Sequence, residues 1–445
     1  MKTRRKFIKD SAAGVAAVLV GGALPGFSAE SYHRILGAND KIHASIMGVN
    51  SRGSVLAKNF AFQKDCDLLH ICDVDSRAIE KCSTSVQKIQ KIKPKGYGDF
   101  RKSLESKDID LMIIATPDHW HAPAALLAMQ AGKHVYVEKP CSHNPAEGEM
   151  LVEGARRYKR SAQMGNQRRS YPNVMMGIKE LKEGIIGRTY FAKGWYTANR
   201  GPIGIGKEVA VPNWLNWDLW QGPAPRKAYK DNIVHYNWHW FWHWGTGEAL
   251  NNGTHMVDLM RWGLGVDYPV KVSSNGGRFR YKDDWQTPDT QVINLDFKDV
   301  SMTWEGRSCN GKYDEDSSVG VCFYGEKGSM VISGGNEYKI YDLNNNLIKY
   351  VKSAQKVDSR NTSNPAGFLD ASHAKNLLDN IRTGEPLRTG ILSGHKSTLL
   401  VQLGNISQRV GHSLEINPDN GHILGDSDAQ KFWSRTYEKG WEMKL

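Results

Sequence analysis

At 445 residues, with 24% charged and 40% hydrophobic residues, the chain has the composition of a soluble globular enzyme and more length than one ordinary core needs. The formal net charge is +12, but Lys and Arg are scattered, with no run interleaved with aromatics, so nucleic-acid binding is excluded as a leading function. Six cysteines (Cys66, Cys72, Cys82, Cys141, Cys309 and Cys322) form no C-x-x-C pair, which argues against a thiol redox or zinc-knuckle site and predicts mostly free thiols.

The chain opens Thr3-Arg4-Arg5-Lys6-Phe7, and a mild apolar run over residues 12–24 follows, too short to span a bilayer. Paired arginines ahead of such a run resemble a twin-arginine export signal. Residues 1–29 are therefore read as a signal peptide and the protein as exported to the periplasm. Phe27 fits poorly at −3 of a cleavage site with Ala29 at −1. No later segment is long and apolar enough to span a membrane.

From residue 41 short apolar strands alternate with helical segments. Strands are predicted over residues 42–49, 67–73, 110–115 and 134–137, with helices over 55–62 and 122–131, the latter stopped by Gly132. Such alternation with buried runs gives a doubly wound parallel sheet. After about residue 170 the apolar period becomes two, at 189–195, 291–297 and 318–324. Helical periodicity returns at 368–382 and 393–409. The expected class is α/β: a Rossmann domain over residues 41–165, an α+β substrate and oligomerisation domain with a large open, mostly antiparallel sheet over 166–365, and C-terminal helices and tail over 366–445 packing on both. The open sheet predicts a homo-oligomer, a dimer or tetramer.

Gly48-Val49-Asn50-Ser51-Arg52-Gly53 occupies the first strand-to-helix turn. It departs from G-x-G-x-x-G at Asn50; Asn tolerates positive φ, so the tight turn is expected to survive, although a pyrophosphate can approach less closely than at Gly. Asp73 ends the second strand, where a carboxylate binds both adenosine ribose hydroxyls and repels a 2′-phosphate. NAD is therefore favoured, with NADP left open by Arg77.

The motifs Gly48-x-Asn50-x-Arg52-Gly53, Cys72-Asp73-Val74-Asp75, Ala115-Thr116-Pro117-x-x-x-His121, Ala131-Gly132-Lys133-His134-Val135 and Glu138-Lys139-Pro140 together resemble the Gfo/Idh/MocA oxidoreductases over nearly the whole chain beyond the signal. Tyr324-Gly325-Glu326-Lys327-Gly328-Ser329 is similar to that family's sheet-edge turn. The resemblance implies that Gly48, Asn50, Ser51, Arg52, Gly53, Asp73, Thr116, Pro117, His119, Trp120 and His121 line a dinucleotide site. It also implies that Glu138 and Lys139 lie near the nicotinamide ribose and reacting carbon, with Asn166 and Gln167 near the nicotinamide.

A lysine ending a buried strand beside a nicotinamide is a natural proton acceptor once burial lowers its pKa; the plainer alternative is a structural ammonium anchored by Glu138. In the family a D-x-x-x-H element completes catalysis. Here His255 matches the histidine, but Asn251 stands where the carboxylate is expected. On a helix Asn251 and His255 share a face, so Asn251 can hold a sugar hydroxyl but cannot take a proton. Glu248 is the nearest carboxylate in sequence, off that face. Lys139, His255 and Asn251 are the catalytic candidates.

Upstream, residues 235–244 read His-Tyr-Asn-Trp-His-Trp-Phe-Trp-His-Trp. Indole faces suit the C–H faces of pyranose rings and imidazoles bond hydroxyls, so Trp238, His239, Trp240 and His243, with Asn252 and His255, are candidate sugar contacts. If the segment is extended, Trp238, Trp240, Trp242 and Trp244 share one side. A Trp-rich interdomain core is the alternative. His235, His239 and His243 have no carboxylate or Cys partner, and no metal site is assigned. Trp214, Trp217 and Trp220 resemble a loop of exported sugar-acting family members.

The expected function is NAD-dependent oxidation of a hydroxyl of a sugar, sugar derivative or glycoside to a keto sugar. An exported enzyme meets no soluble nicotinamide pool, so the cofactor is expected to be tightly bound and regenerated within the cycle. The alternatives are an NAD-dependent redox-neutral glycosidase (oxidation, elimination, hydration, re-reduction) and a non-catalytic sugar-binding protein that retains NAD.

Overall fold

A computed structural model describes residues 41–354, 367 and 369–445. The expected signal at 1–29 and Phe368, where the C-terminal helix was expected to open, lie outside the described residues. Six parallel strands, β1 (Ile42–Met47), β2 (Cys66–Cys72), β3 (Lys95–Tyr97), β4 (Leu111–Ile114), β5 (His134–Val137) and β6 (Ala162–Met164), form one sheet in the order β3-β2-β1-β4-β5-β6. Its central strands are apolar on both faces because helices cover both: Ile42, Ala44 and Ile46 in β1 and all four residues of β4 are fully buried. The strand order reverses between β1 and β4, and the crevice outside the carboxyl ends of those strands is where such sheets bind ligands.

The second sheet has nine strands: β7 (Thr189–Thr197), β8 (Lys271–Gly277), β9 (Thr290–Asp296), β10 (Ser301–Arg307), β11 (Val319–Gly325), β12 (Gly328–Ser333), β13 (Tyr338–Tyr341), β14 (Leu347–Val351) and β15 (Leu414–Glu415). The order is β14-β13-β12-β11-β7-β10-β9-β8-β15, antiparallel except for β10 beside β7. Glu326-Lys327 forms the hairpin turn between β11 and β12, inside the sheet rather than at its edge, because β13 and β14 extend it further. Period-two burial is plain in β10, where Met302, Trp304 and Gly306 point inward and Ser301, Thr303 and Glu305 do not.

The C-terminal helices join the two units. Helix Leu369–Thr383 packs Ala374, Leu377 and Leu378 into the core around β1 and β2. Helix Ile391–Val410 buries Leu399, Leu400, Val401, Leu403 and Ile406 with the core of the nine-stranded sheet. All six cysteines are free thiols, five of them buried. No helix among the described residues is long and apolar enough to cross a membrane.

Candidate active site

A cleft open to solvent lies over the carboxyl ends of the parallel strands. Gly48 begins its floor. It alone in its turn carries the left-handed backbone, at φ 82°, and a Cβ there would sit 2.7 Å from the Ala115 carbonyl oxygen. A Cβ on Gly53 would lie 1.8 Å from the Gly48 carbonyl oxygen, so helix Arg52–Ala61 approaches β1 as only glycine allows. The tight turn survives the departure at Asn50 because the positive φ falls on Gly48 and not on Asn50, which lines the cleft.

Asp73 stands at the end of β2 and accepts the amides of Val49 at 2.6 Å and Asp75 at 2.9 Å. Burial pushes its carboxyl up, against the pull of those amides. Arg77 is not free for a 2′-phosphate: it holds Asp75 through Nε at 3.0 Å and Nη2 at 2.8 Å and lies 3.6 Å over the Trp214 ring. Further in, the buried Thr116 Oγ1 and Gln167 Oε1 have no partner among the described residues, although both residues line the cleft. Orphaned buried polar atoms in a cleft await a ligand or water. With the glycine cradle and Asp73 they fit a dinucleotide.

Arg52 lines the cleft but turns its guanidinium inward, with Nε on Glu138 at 2.8 Å and Nη1 on Asp370 at 2.7 Å. Tyr171 donates to the same Asp370 at 3.1 Å. The network ties the glycine turn, the end of β5 and the C-terminal helix together. Burial alone would raise the Glu138 carboxyl; Arg52 and Lys139 outweigh it and hold it below its ordinary value.

Lys139 reaches across to the second domain. Its Nζ donates to the Asn251 backbone oxygen at 2.7 Å and side-chain Oδ1 at 3.2 Å. Burial lowers its pKa, against Glu138 and Asp118, which raise it. Residues Ala249–Gly253 form a π-helical turn leading into helix Thr254–Leu264, so Asn251 and His255 do not stand in simple α-helical register, yet both line the cleft. Asn251 holds Lys139 through Oδ1, and its Nδ2 donates to Glu248 at 3.2 Å. Glu248 is itself committed to Arg200 at 2.7 Å, Ser308 at 3.0 Å and Asn252. His255 is neutral: burial, then Arg168 and Lys139, push it well below the ordinary histidine range, and its buried Nδ1 has no partner among the described residues.

The Trp-rich segment is not extended. Asn237–Trp240 is a single 3-10 turn and residues 242–244 turn again, so the indoles do not share a face. Trp238 and His239, stacked at 3.6 Å, line the cleft. His239 Nδ1 lies 2.6 Å from the Tyr236 carbonyl and must donate to it, leaving Nε2 as an acceptor; burial lowers this ring to about 3, so it stays neutral. Trp240 instead stacks on Trp285 at 3.9 Å, and His243 Nε2 bonds the Pro225 carbonyl at 2.8 Å. Trp240, His243 and Asn252 are thus held in packing and hydrogen bonds outside the cleft lining. So is His119, whose Nε2 meets the Trp220 carbonyl at 3.0 Å. Gly53 and Asn166 also stand behind the lining, Asn166 with both amide atoms buried and unpartnered among the described residues. His235 faces Asp75 at 3.0 Å rather than another histidine, and no cluster of three or more metal-ligating side chains occurs among the described residues.

Residues 42–166 match an oxidoreductase family with an NAD-binding Rossmann fold, and residues 180–443 match its C-terminal alpha/beta domain. The chain belongs to the Gfo/Idh/MocA oxidoreductase family. Among curated relatives, a glycosyl hydrolase family 109 protein of Saccharopolyspora erythraea is 29% identical over 253 residues, 52% of this chain and 55% of the relative. One from Shewanella pealeana is 27% identical over 208 residues, 43% and 45% of the two chains. The chain spans about half the length of these relatives. The WlbA dehydrogenase from Bordetella pertussis, solved with NADH and UDP-GlcNAcA, superposes with a TM-score of 0.63 at 18% identity over 85% of this chain and 99% of that one. A levoglucosan dehydrogenase in complex with NADH gives 0.65 at 16% identity over 85% and 100%. At such identities the likeness to solved structures speaks for the fold alone.

Within this Gfo/Idh/MocA chain, two features escaped the sequence reading. Asp118, between the Thr-Pro and His of its motif, lines the cleft and is 4% exposed. A carboxylate opening a helix at the carboxyl end of a buried strand is a readable signal for such a residue. The loop 213–222 also crosses onto the first domain: Asn216 N bonds the Val74 carbonyl at 3.0 Å, Ser76 N bonds the Trp214 carbonyl at 3.2 Å, and Leu219 and Trp220 line the cleft. Three-residue tryptophan spacing marked that loop without saying what it covers.

Proposed function

We propose that the protein oxidises a hydroxyl of a sugar, sugar derivative or glycoside to a keto sugar, using NAD that it holds tightly, after export to the periplasm. The observation that carries this reading is the continuity of one cleft from the glycine turn and Asp73 to Lys139, His255 and the Trp238–His239 stack. Gly48, Asn50, Ser51, Asp73, Thr116, Pro117, Glu138 and Gln167 would hold the dinucleotide, whose nicotinamide supplies a hydride acceptor. Asp73, together with the engagement of Arg77 by Asp75, supports NAD over NADP.

Lys139 is the base. Burial lowers its pKa and so favours the neutral amine, the form that takes the hydroxyl proton, and Asn251 fixes its Nζ from two sides. His255 stays neutral and orients the reacting hydroxyl, while His239 offers Nε2 as an acceptor to a second one. Trp238, under the His239 ring, presents an apolar wall for sugar C–H groups. The loop 213–222, bonded to Val74 and Ser76 and lining the cleft through Leu219 and Trp220, supports retention of the cofactor.

A second reading is favoured by the curated relatives, which are named as glycosyl hydrolases. In it the keto sugar is an intermediate: elimination, hydration and re-reduction follow, with no net redox change. One experiment separates the two. The purified protein, with no cofactor added, is denatured to identify any released dinucleotide, and the native protein is mixed with a panel of glycosides while nicotinamide absorbance and free sugar are followed. Bound NAD that becomes reduced supports the oxidoreductase; sugar release without net reduction supports the glycosidase. A protein that neither carries nor binds a dinucleotide sinks both.

A further inference from the structure

A neutral lysine amine has two N–H bonds and one lone pair, and only the lone pair can take a proton. At Lys139 two acceptors meet the N–H bonds, the Asn251 backbone oxygen at 2.7 Å and its side-chain Oδ1 at 3.2 Å. With both N–H bonds committed to Asn251, the lone pair is left for a hydroxyl in the cleft. The arrangement depends on which way round the Asn251 amide sits. Turned over, the amide would aim Nδ2 at Lys139 and donate into the lone pair that the reaction needs. Nothing in the amide's own shape prevents this, since its oxygen and nitrogen ends are nearly alike in size.

Glu248 decides the orientation. It caps the π-helical turn Ala249–Gly253, which brings Asn251 and Asn252, three and four residues on, against its carboxylate. A carboxylate accepts and never donates, so both amides must present nitrogen to it. Asn251 Nδ2 donates to Oε1 at 3.2 Å and Asn252 Nδ2 donates to the same oxygen, which turns Asn251 Oδ1 toward Lys139. The carboxylate is itself held. Arg200 Nε donates to Oε2 at 2.7 Å and Ser308 Oγ donates to it at 3.0 Å. Arg200 is anchored in turn on the hydroxyls of Tyr196 at 3.1 Å and Tyr236 at 2.9 Å. Glu248 is buried and stands outside the cleft lining, so it acts through Asn251 rather than on a ligand.

We propose that Glu248 is the positioning residue of the base: it locks the Asn251 amide with its oxygen toward Lys139 and so keeps the lysine lone pair free for the substrate hydroxyl. The proposal rests on Lys139 being the base. The hydroxyl O–H bond breaks, its proton passes to that lone pair, and Glu248 neither gains nor loses one.

The test reads the lone pair directly and needs no substrate. The purified full chain is labelled with trace acetic anhydride across a pH series, and acetylation of Lys139 is quantified by mass spectrometry against exposed lysines. The midpoint reports where the ammonium loses its proton; the plateau at high pH reports how available the lone pair is. In Glu248→Gln the glutamine oxygen must stay on Arg200, which has no acceptor to offer, so the glutamine nitrogen faces Asn251 and turns that amide over. The plateau then falls about fivefold or more, the effect of one ordinary hydrogen bond to the lone pair. Loss of the charge alone would lower the midpoint and leave the plateau near wild type. Adding Asn251→Asp restores the pattern, with one carboxylate oxygen for Lys139 and the other for the glutamine nitrogen, and brings the plateau back. An unchanged plateau in Glu248→Gln overturns the proposal, as does a fallen plateau that Asn251→Asp fails to restore. If the single variant does not fold, the double variant decides: a wild-type plateau supports the proposal, and a low plateau or a second failure to fold overturns it. Failure of Lys139 as the base would appear in the turnover of Lys139→Met and leave these plateaus untouched, so the two ideas fail separately.

Discussion

Replacing Lys139 with Met keeps the length and the apolar stem and removes the amine. A positioned general base contributes about 10²–10⁴-fold, which is about 3–5.5 kcal/mol of activation free energy. The stability change is smaller. Asn251 O and Oδ1 lose their donor, a cost of about 1–3 kcal/mol, while removal of a buried ammonium offsets much of it. Activity should therefore collapse in a protein that still folds and still binds NAD. The assay is single-turnover absorbance of the bound nicotinamide after mixing with whichever glycoside the panel identifies. The wild-type rate should rise with pH through a midpoint below the ordinary lysine value, because only the neutral amine accepts a proton and burial lowers its pKa. The variant should lose that limb. A Lys139→Met protein within about twofold of wild type, with the same pH profile, would refute the assignment.

Other expectations follow from the same geometry. Asp370→Asn leaves Arg52 paired with Glu138 but loses a charge-assisted bond and weakens that of Tyr171, so helix Leu369–Thr383 should open about 2–4 kcal/mol more easily in hydrogen exchange; unchanged exchange would count against the network. Asp73→Ser should weaken NAD binding without gaining NADP while Arg77 remains on Asp75, and adding Asp75→Ala should bring NADP binding up, measured by calorimetry of both dinucleotides. Trp217→Ala removes an indole stacked on Trp220 at 4.7 Å and should speed cofactor loss at least about tenfold, roughly 1.4 kcal/mol, in a dilution-and-trap assay. The Arg169–Asp258 pair, bidentate at 2.8 Å, holds Asp258 below its ordinary carboxylate value against the opposing effect of burial, so the folded state binds fewer protons than the unfolded one. Its contribution is complete above the unfolded carboxylate range and is lost as pH falls from there through the lower folded pKa, which Asp258→Asn should show as a flattened acid limb in urea titrations.

The strands that build the Rossmann crevice were legible because burial on both faces leaves continuous apolar runs, as in Leu111–Ile114. β3, only Lys-Gly-Tyr, has no such run and was not read; it pairs at the margin, where one neighbour suffices. β14 was missed because an edge strand with Leu347 and Ile348 exposed shows no alternation. At the site, residue types were legible and directions were not. Asn251 was recognised as a departure, but a π-helical turn cannot be read from Ala-Leu-Asn-Asn-Gly, and only that turn explains how its backbone oxygen and side chain both meet Lys139. The tryptophan segment promised a sugar-binding face, yet the 3-10 turn sends Trp240 against Trp285 and leaves Trp238 and His239 at the cleft. Asp118 was passed over because only its neighbours match the family's motif, although its place at a helix start on the ligand-binding edge was already written in the sequence.

The central claim is hydride transfer from a sugar carbon at Lys139, and deuterium tests it most directly. The protein is incubated with a perdeuterated sample of the glycoside it consumes, quenched with acid, and the released dinucleotide is weighed by mass spectrometry. The account predicts deuterium on the nicotinamide ring in the wild type and none in Lys139→Met. A dinucleotide that stays undeuterated while the glycoside is consumed would contradict it.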